Sequence, residues 1–220
     1  MGARRPSAGQ RSDLSLRNGG CVNMSPTPID LSKYKHIYHS ERSRIVQALW
    51  FFVGLPLLRC QALPSSSFRR ALLRLFGAKI GTGVVIKPGV RVKYPWLLRV
   101  GNHCWIGEDC WIDNLSLVYL GSSVCLSQGV YLCTGNHDWS DPAFGLTVGP
   151  IHIHDGAWIC ARAIIGPGTR IGEGAVLTAG SVATKSVQPY TIQAGNPAAP
   201  FGSRRLKADV TSGCSVAAAR

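Results

Sequence analysis

The sequence predicts a mainly β protein whose short parallel strands wind into a triangular prism, and three observations predict it. Aliphatic residues recur every six positions through Ile80, Ile86 and Val92, through Val100, Ile106 and Ile112, and through Leu120, Leu126 and Leu132; a further run links Ile153, Ile159, Ile165, Ile171, Leu177 and Ala183. Four residues after these aliphatics stands a small or β-branched residue, as at Val84, Val90, Cys104, Cys110, Val124, Val130, Ala157, Ala163, Thr169, Ala175 and Ser181. The register then breaks between Leu132 and Ile153, where residues 135–150 follow no hexad. A helix of period 3.6 cannot keep residues six apart on one face, and a hairpin strand alternates in twos and reverses. Three short strands joined by corners can, and coils stacked about 4.8 Å apart pile the aliphatics into interior ladders.

Composition allows one domain with spare length at its ends: 220 residues, 45% apolar, 25 Gly and 13 Pro. The net charge of +13 raises the question of a polyanionic partner, but residues 1–60 carry nine Lys or Arg against three acidic residues, so much of the excess lies outside the repeat. No basic face with interleaved aromatics marks a nucleic-acid binder, and none is expected. The eight cysteines form no CxxC pair and no zinc spacing, and the polar stretch 1–40 does not read as a signal peptide. Free thiols in a cytoplasmic protein are the expectation.

Residues 1–40 read as a disordered arm, without periodicity and rich in Ser, Arg, Gly and Pro. Residues 41–78 form a helical capping segment. Its first apolar run, Ile45 to Leu58, contains Gln47, Gly54 and Pro56 and falls short of the roughly 20 residues needed to cross a bilayer. In SSSFRRALLRLFG, Ser67 is placed to cap a second helix with Phe68, Leu72, Leu73 and Phe76 on one side. Covering the prism's open end is the favoured role. The alternative is peripheral association with an anionic membrane, through Arg59, Arg69, Arg70 and Arg74 beside apolar residues.

Residues 79–200 hold the repeat, about five coils of a hexapeptide parallel β-helix, more than the three or so needed for a stable stack. Gly81, Gly101, Gly107, Gly121, Gly166 and Gly172 directly follow inward aliphatics and are expected to supply unusual corner angles. Cys104 and Cys110 fill small interior slots. Residues 201–220 are expected to form a flexible tail.

The break is an extended loop, 135–150, on an otherwise rigid scaffold, and His137 sits on it. A neutral imidazole accepts a proton near pH 7 and so can activate a hydroxyl or amine. His152 and His154 alternate with Ile151 and Ile153 and point outward. Their separations from His137 along the chain match no compact metal motif, so no metal site is expected.

The stretches YPWxLxVGxxxWIGxxxWIDNL (Tyr94 to Leu115), LSQGVYLCTGNHDWSDP, GAWI, IGPGTRIGEGAVLTAGSVATK and AGNPAAP resemble the colanic acid biosynthesis acetyltransferases of bacteria. These are part of the hexapeptide acyltransferases that include the galactoside and maltose acetyltransferases, and the likeness spans roughly Ser67 to Pro200. The resemblance implies a left-handed coil and a homotrimer with active sites between subunits. It also implies O-acetyl transfer from acetyl-CoA to a sugar hydroxyl in exopolysaccharide biosynthesis, with His137 as general base.

It further implies acceptor contacts at Asp113, with Asn114 beside it; Trp139 reads either as a ring for a sugar to stack on or as packing for the loop. Asp113 reads equally as a corner residue satisfying backbone amides. The acetyl-CoA groove would correspond to Trp158, Ala161, Ala179, Gly180, Thr184 and Lys185, with Arg204 or Arg205 joining Lys185 on the phosphates. Cys160 and Arg162 depart from the family pattern in that groove. Alternatives are an N-acetyltransferase on an amino sugar, a serine acetyltransferase, a zinc carbonic anhydrase, or a noncatalytic assembly scaffold. Outward Trp105, Trp111 and Tyr131 give trimerisation a motive, since symmetric packing would cover them; the alternative is that they line the acceptor site.

Overall fold

A computed structural model describes residues 27–35, 42–63 and 65–207. The arm expected over 1–26 and 36–40, and the tail beyond 207, lie outside the described residues. Three parallel sheets enclose one core. Face 1 stacks Lys79–Ile80, Leu98–Val100, Val118–Leu120, Ile151–Ile153 and Arg170–Ile171. Face 2 stacks Val85–Ile86, Trp105–Ile106, Cys125–Leu126, Trp158–Ile159, Val176–Leu177 and Thr191–Ala194. Face 3 stacks Arg91–Val92, Trp111–Asp113, Tyr131–Cys133, Ile164–Ile165 and Val182–Ala183. The chain visits the faces in that order, so each face borders the other two along edges that we name 1–2, 2–3 and 3–1.

The register follows from the period of six. Ile106 pairs with Leu126, Leu126 with Ile159 and Ile159 with Leu177, and each is at most 1% exposed. The small residues form companion columns; Val84, Cys104, Val124, Ala157 and Ala175 are likewise buried. The stack holds five rungs on two faces and six parallel strands on face 2, close to the five coils that the repeat predicts. Ala199–Ser203, which includes the start of the expected tail, turns back antiparallel along Thr191–Ala194.

Two expectations about local structure change. The glycines that directly follow aliphatics do not carry the left-handed corner angles. Those fall two residues later, at Gly83, Gly168 and Gly174 and at the non-glycine residues His103, Asp109 and Ser123. The first corner residue is small because coils crowd there: a Cβ on Gly101 would lie 2.6 Å from the Gly121 carbonyl carbon one rung away. The second change is the cap of the second helix, α3 below, which is Ser65 and not Ser67: the Ser65 hydroxyl accepts from Phe68 N–H at 3.2 Å.

The capping segment runs as α1 (Arg44–Leu49), a π-turn (Trp50–Gly54) and α2 (Leu55–Arg59), followed by α3 (Ser66–Leu75). The π-turn precedes Pro56, whose missing N–H leaves the local ladder free to widen; Leu55 N–H donates to Trp50 O. Trp50, Leu58, Leu72 and Leu73 are buried against the first coil, and the Trp50 indole N–H donates to Val92 O at 3.1 Å. Three of the four arginines considered for a membrane surface instead hold this junction together. Arg69 is fully buried and donates to the carbonyls of Leu58, Cys60 and Leu63. Arg70 reaches Val84 O, and Arg74 reaches the carbonyls of Ile80 and Gly81. Arg59 alone of the four is exposed without such a side-chain bond to the described residues. No helix of the described residues is long and apolar enough to cross a membrane.

Candidate active site

Each of the first three coils exceeds three hexads, and the extra residues leave at edge 3–1. In the first coil they form a 3-10 turn, Pro95–Leu97. The second widens by as many residues, and Asn114 closes it against the first: its Nδ2 donates to Tyr94 O at 2.7 Å and its Oδ1 accepts from Tyr94 N–H at 2.9 Å. Asn114 is fully buried. Both ends of its amide are thus spent on backbone, which removes it from the acceptor contacts expected for it.

In the third coil the excursion becomes an antiparallel hairpin, Gly135–His137 against Leu146–Val148. Its base is fastened by buried Thr134, whose hydroxyl donates to Asp113 O at 3.2 Å and accepts from Ser116 N–H at 3.0 Å. Asp141 organises the tip: its Oδ1 accepts from Ala143 N–H and its Oδ2 from Gly145 N–H, at 2.9 and 2.8 Å. Between them Phe144 is held with φ at +54°, a left-handed angle that turns its carbonyl toward His137.

That carbonyl lies 2.8 Å from His137 Nδ1. A carbonyl only accepts, so Nδ1 carries the hydrogen and Nε2 of the neutral ring holds a free lone pair. The imidazole is exposed, flanked by the Phe144 ring and, edge-on with centroids 5.8 Å apart, by Tyr34. Asp30 N–H donates to Pro142 O at 3.0 Å, so residues 27–35 of the expected arm lie on the hairpin. Nothing periodic in the sequence marks them for that contact. Phe144, Asp141 and Tyr34 are the site residues that sequence reasoning missed.

Asp113 projects from face 3 one position before edge 3–1. Lys93 Nζ forms an ion pair with its Oδ1 at 2.9 Å, and the Tyr131 hydroxyl donates weakly to Oδ2 at 3.4 Å. Burial, then Cys133 and Asp113, push the Tyr131 phenol far up, so it stays a donor. Above Tyr131 lies Trp111, stacked at 4.6 Å between centroids, with the Arg91 guanidinium 4.7 Å from the Trp111 ring. Phe51, Leu55, Arg91, Lys93, Trp111 and Asp113 line an open cavity of about 230 Å³. Trp139 is 87% exposed on the hairpin. Trp105 stands on face 2, apart from Trp111 and Tyr131 on face 3.

The residues expected to meet the acyl donor fall on both sides of face 3. Ala161, Ala179 and Gly180 form edge 2–3, with Gly180 N–H donating to Ala161 O at 2.9 Å, and Trp158 stands on face 2 beside them, its indole N–H on Ser127 Oγ at 3.0 Å. Ala179 and Gly180 are exposed, and open space lies where a Gly180 Cβ would project. Arg162 adopts φ +58° on this edge, between the rungs where Gly129 and Gly180 take the same left-handed angle. Thr184 and Lys185 are exposed on edge 3–1, two rungs below the hairpin. Arg204 is on neither edge: it donates to Gly156 O and Gly174 O at 2.8 and 3.1 Å, along edge 1–2, and this withdraws it from the phosphate role expected of it. Arg205 follows it, exposed. Among the described residues no group of three or more His, Cys, Asp or Glu is placed to hold a metal ion.

Comparison with known proteins agrees with this architecture. The family model described as bacterial transferase hexapeptide (six repeats) matches residues 150–185. An Escherichia coli (strain K12) protein named as the colanic acid biosynthesis acetyltransferase WcaF is 38% identical over 150 residues, covering 68% of this chain and 82% of that protein. The crystal structure of a hexapeptide-repeat-containing acetyltransferase, VCA0836, from Vibrio cholerae is similar at a TM-score of 0.67 and 27% identity, over 74% of this chain and 95% of that one. A second structure of that Vibrio protein, complexed with acetyl coenzyme A, shares the fold at a TM-score of 0.67 and 22% identity, over 74% of this chain and 88% of that one. The chain belongs to the hexapeptide-repeat acetyltransferases, in the family of the colanic acid biosynthesis acetyltransferases.

Proposed function

We propose that the protein transfers acetyl from acetyl-CoA to a sugar hydroxyl of an exopolysaccharide pathway, by direct attack with His137 as general base. The observation that carries this reading is the bond from His137 Nδ1 to Phe144 O, which leaves Nε2 as the basic atom on an exposed hairpin. Nε2 takes the hydroxyl proton, the oxygen attacks the thioester carbonyl, and the same proton passes to the departing thiolate. The thioester is already activated, so the protein's work is alignment and proton transfer. Asp113, poised beside Lys93 and Tyr131, supplies an acceptor for sugar hydroxyls, and Trp139 a ring to stack on.

The division of the donor residues supports a homotrimer. In a closed threefold ring with face 3 toward the axis, edge 3–1 of each protomer stands against edge 2–3 of its neighbour. His137, Thr184 and Lys185 of one protomer then meet Trp158, Ala161, Ala179 and Gly180 of the next. Trp111, Tyr131, Ile164 and Val182, outward on face 3, are covered in the same arrangement. At the opposite end, Ile45, Leu49, Phe52 and Val53 form an exposed stripe at helical spacing, 46–82% exposed, beside Arg44 and Arg59. That stripe supports seating the capping segment on an anionic membrane from the cytoplasmic side.

His137→Ala tests the reading. Acetyl transfer followed by thiol release should fall about 10²- to 10⁴-fold while acetyl-CoA binding and molecular mass hold. Full residual activity would overturn the assignment, and hydroxyl and amino sugars assayed side by side separate O- from N-transfer.

A further inference from the structure

We propose that Arg162 completes each site from the neighbouring protomer, its guanidinium donating hydrogen bonds to the thioester carbonyl oxygen as negative charge develops there. The inference rests on the acetyl-transfer and trimer readings and adds a second catalytic residue to them. With coils numbered from the capping segment, Arg162 turns the fourth coil at edge 2–3, where its N–H donates to Gln128 O at 2.9 Å. The same corner position is Gly129 in the third coil and Gly180 in the fifth; Gly129, Arg162 and Gly180 have φ of +66°, +58° and +69°. Glycine adopts such angles freely, whereas a side chain meets a steric cost there. Asp109, at the same corner of the second coil, is of a type that tolerates the angle; arginine is not. A residue kept there against its own preference points to a function for the side chain.

Packing sets the direction of that side chain. A Cβ built on Gly129 would lie 3.3 Å from Arg162 Cγ, so the stem leans up the stack over the surface that Gly129 leaves bare. The guanidinium is thereby carried toward the level of the third coil. His137 leaves from that coil, whose strand Tyr131–Cys133 runs into the hairpin. A threefold axis parallel to the prism keeps equal coils at equal height, so the guanidinium of one protomer and the imidazole of the next share a level across the cleft. Arg162 is exposed, and among the described residues no ion pair engages it. The acidic residues on its own edge, Glu108 and Asp109, turn the second coil, and Glu108 faces Lys87 at 3.8 Å.

Length argues against a phosphate role for this cation. About 13 bonds separate the sulfur of CoA from its diphosphate, and at roughly 1.2 Å per bond of an extended chain they span about 15 Å. That is about three coil spacings of 4.8 Å. With the thioester beside His137 and the groove descending past Ala161 and Gly180, the diphosphate falls near the sixth coil, at Thr191–Ala194. Arg162 stays at the acyl end.

There the reaction needs a donor. As the sugar oxygen bonds to the carbonyl carbon, the carbonyl π pair moves onto its oxygen, and a guanidinium beside that oxygen holds the charge. When the carbonyl re-forms, the carbon–sulfur bond breaks with its pair on sulfur, and the proton held at His137 Nε2 passes to the thiolate. Arg162 remains protonated throughout.

The test is steady-state thiol release from acetyl-CoA, onto a hydroxyl sugar that the wild type acetylates, by full-length Arg162→Gly beside His137→Ala. Glycine suits the backbone angle, so the thermal midpoint and the trimer mass should hold in Arg162→Gly. Its kcat should fall about 10²-fold or more while KM for acetyl-CoA stays within about threefold, the pattern of a group that acts on the developing charge. Trimers reassembled one-to-one from Arg162→Gly and His137→Ala should return to about a quarter of wild type, because some sites then take an intact residue from each protomer. An unchanged kcat, a raised KM with kcat held, dissociation of the trimer, or no recovery on mixing would each overturn the proposal. Dissociation would mark a tie between protomers, such as a pair with the Asp138 carboxylate, which accepts only from Ser140 and Asp141 in its own chain. Loss of activity in His137→Ala with full kcat in Arg162→Gly would sink this inference alone, and full activity in His137→Ala would sink the acetyl-transfer reading.

Discussion

His137 Nδ1 sits 2.8 Å from the carbonyl oxygen of Phe144, a residue held at φ +54° by its neighbours. The bond selects one tautomer and aims the other nitrogen outward. Responsibility for it passes to Asp141, which accepts from the N–H groups on either side of Phe144. Asp141→Asn replaces one acceptor with a donor facing Gly145 N–H or Ala143 N–H. It should lower kcat by about 10- to 100-fold with KM for acetyl-CoA little changed, the scale expected when a catalytic group is misplaced by a fraction of an ångström to one ångström. Steady-state kinetics on both substrates checks this, and equal losses in kcat and in donor affinity would count against a positioning role.

Arg69 makes a different prediction, about stability. It is a fully buried cation whose partners are carbonyls at the end of α2 and in the turn before α3. Arg69→Met leaves those carbonyls without donors, and the cost should be about 2–4 kcal/mol. Denaturant unfolding should show the loss, with activity per folded molecule preserved.

The capping segment should carry membrane affinity on its outer stripe. Cosedimentation with phosphatidylcholine vesicles containing phosphatidylglycerol should fall several-fold in Ile45→Ser with Phe52→Ser, since those side chains are 80% and 82% exposed and their removal costs the fold little. Unchanged cosedimentation would remove the lipid surface from the reading.

Much of the fold was legible because the period of six has one solution: residues such as Ile106, Leu126 and Ile159 must all reach one interior line. The hairpin was legible as the place where that period fails. What stayed hidden depended on partners remote in sequence. Asn114 looks like a surface corner residue until Tyr94, one coil earlier, is seen to bind both ends of its amide. Arg69 sits among arginines on an amphipathic helix, and only the carbonyls converging from the preceding turn show that it is inside. Arg204 follows Ser203, where no repeat indicates which edge the chain takes. The orienting carbonyl of Phe144 was hidden for a local reason, because a left-handed angle at a non-glycine residue has no compositional signal.

The most direct measurement mixes two inactive variants. His137→Ala damages edge 3–1, and Gly180→Trp fills the open space on edge 2–3. If each site joins these edges from neighbouring protomers, trimers reassembled from both variants contain sites with neither lesion, and acetyl transfer should return to about a quarter of wild type for a random one-to-one mixture. Activity no greater than that of the unmixed variants, with subunit exchange verified by mass, would contradict a site shared between protomers.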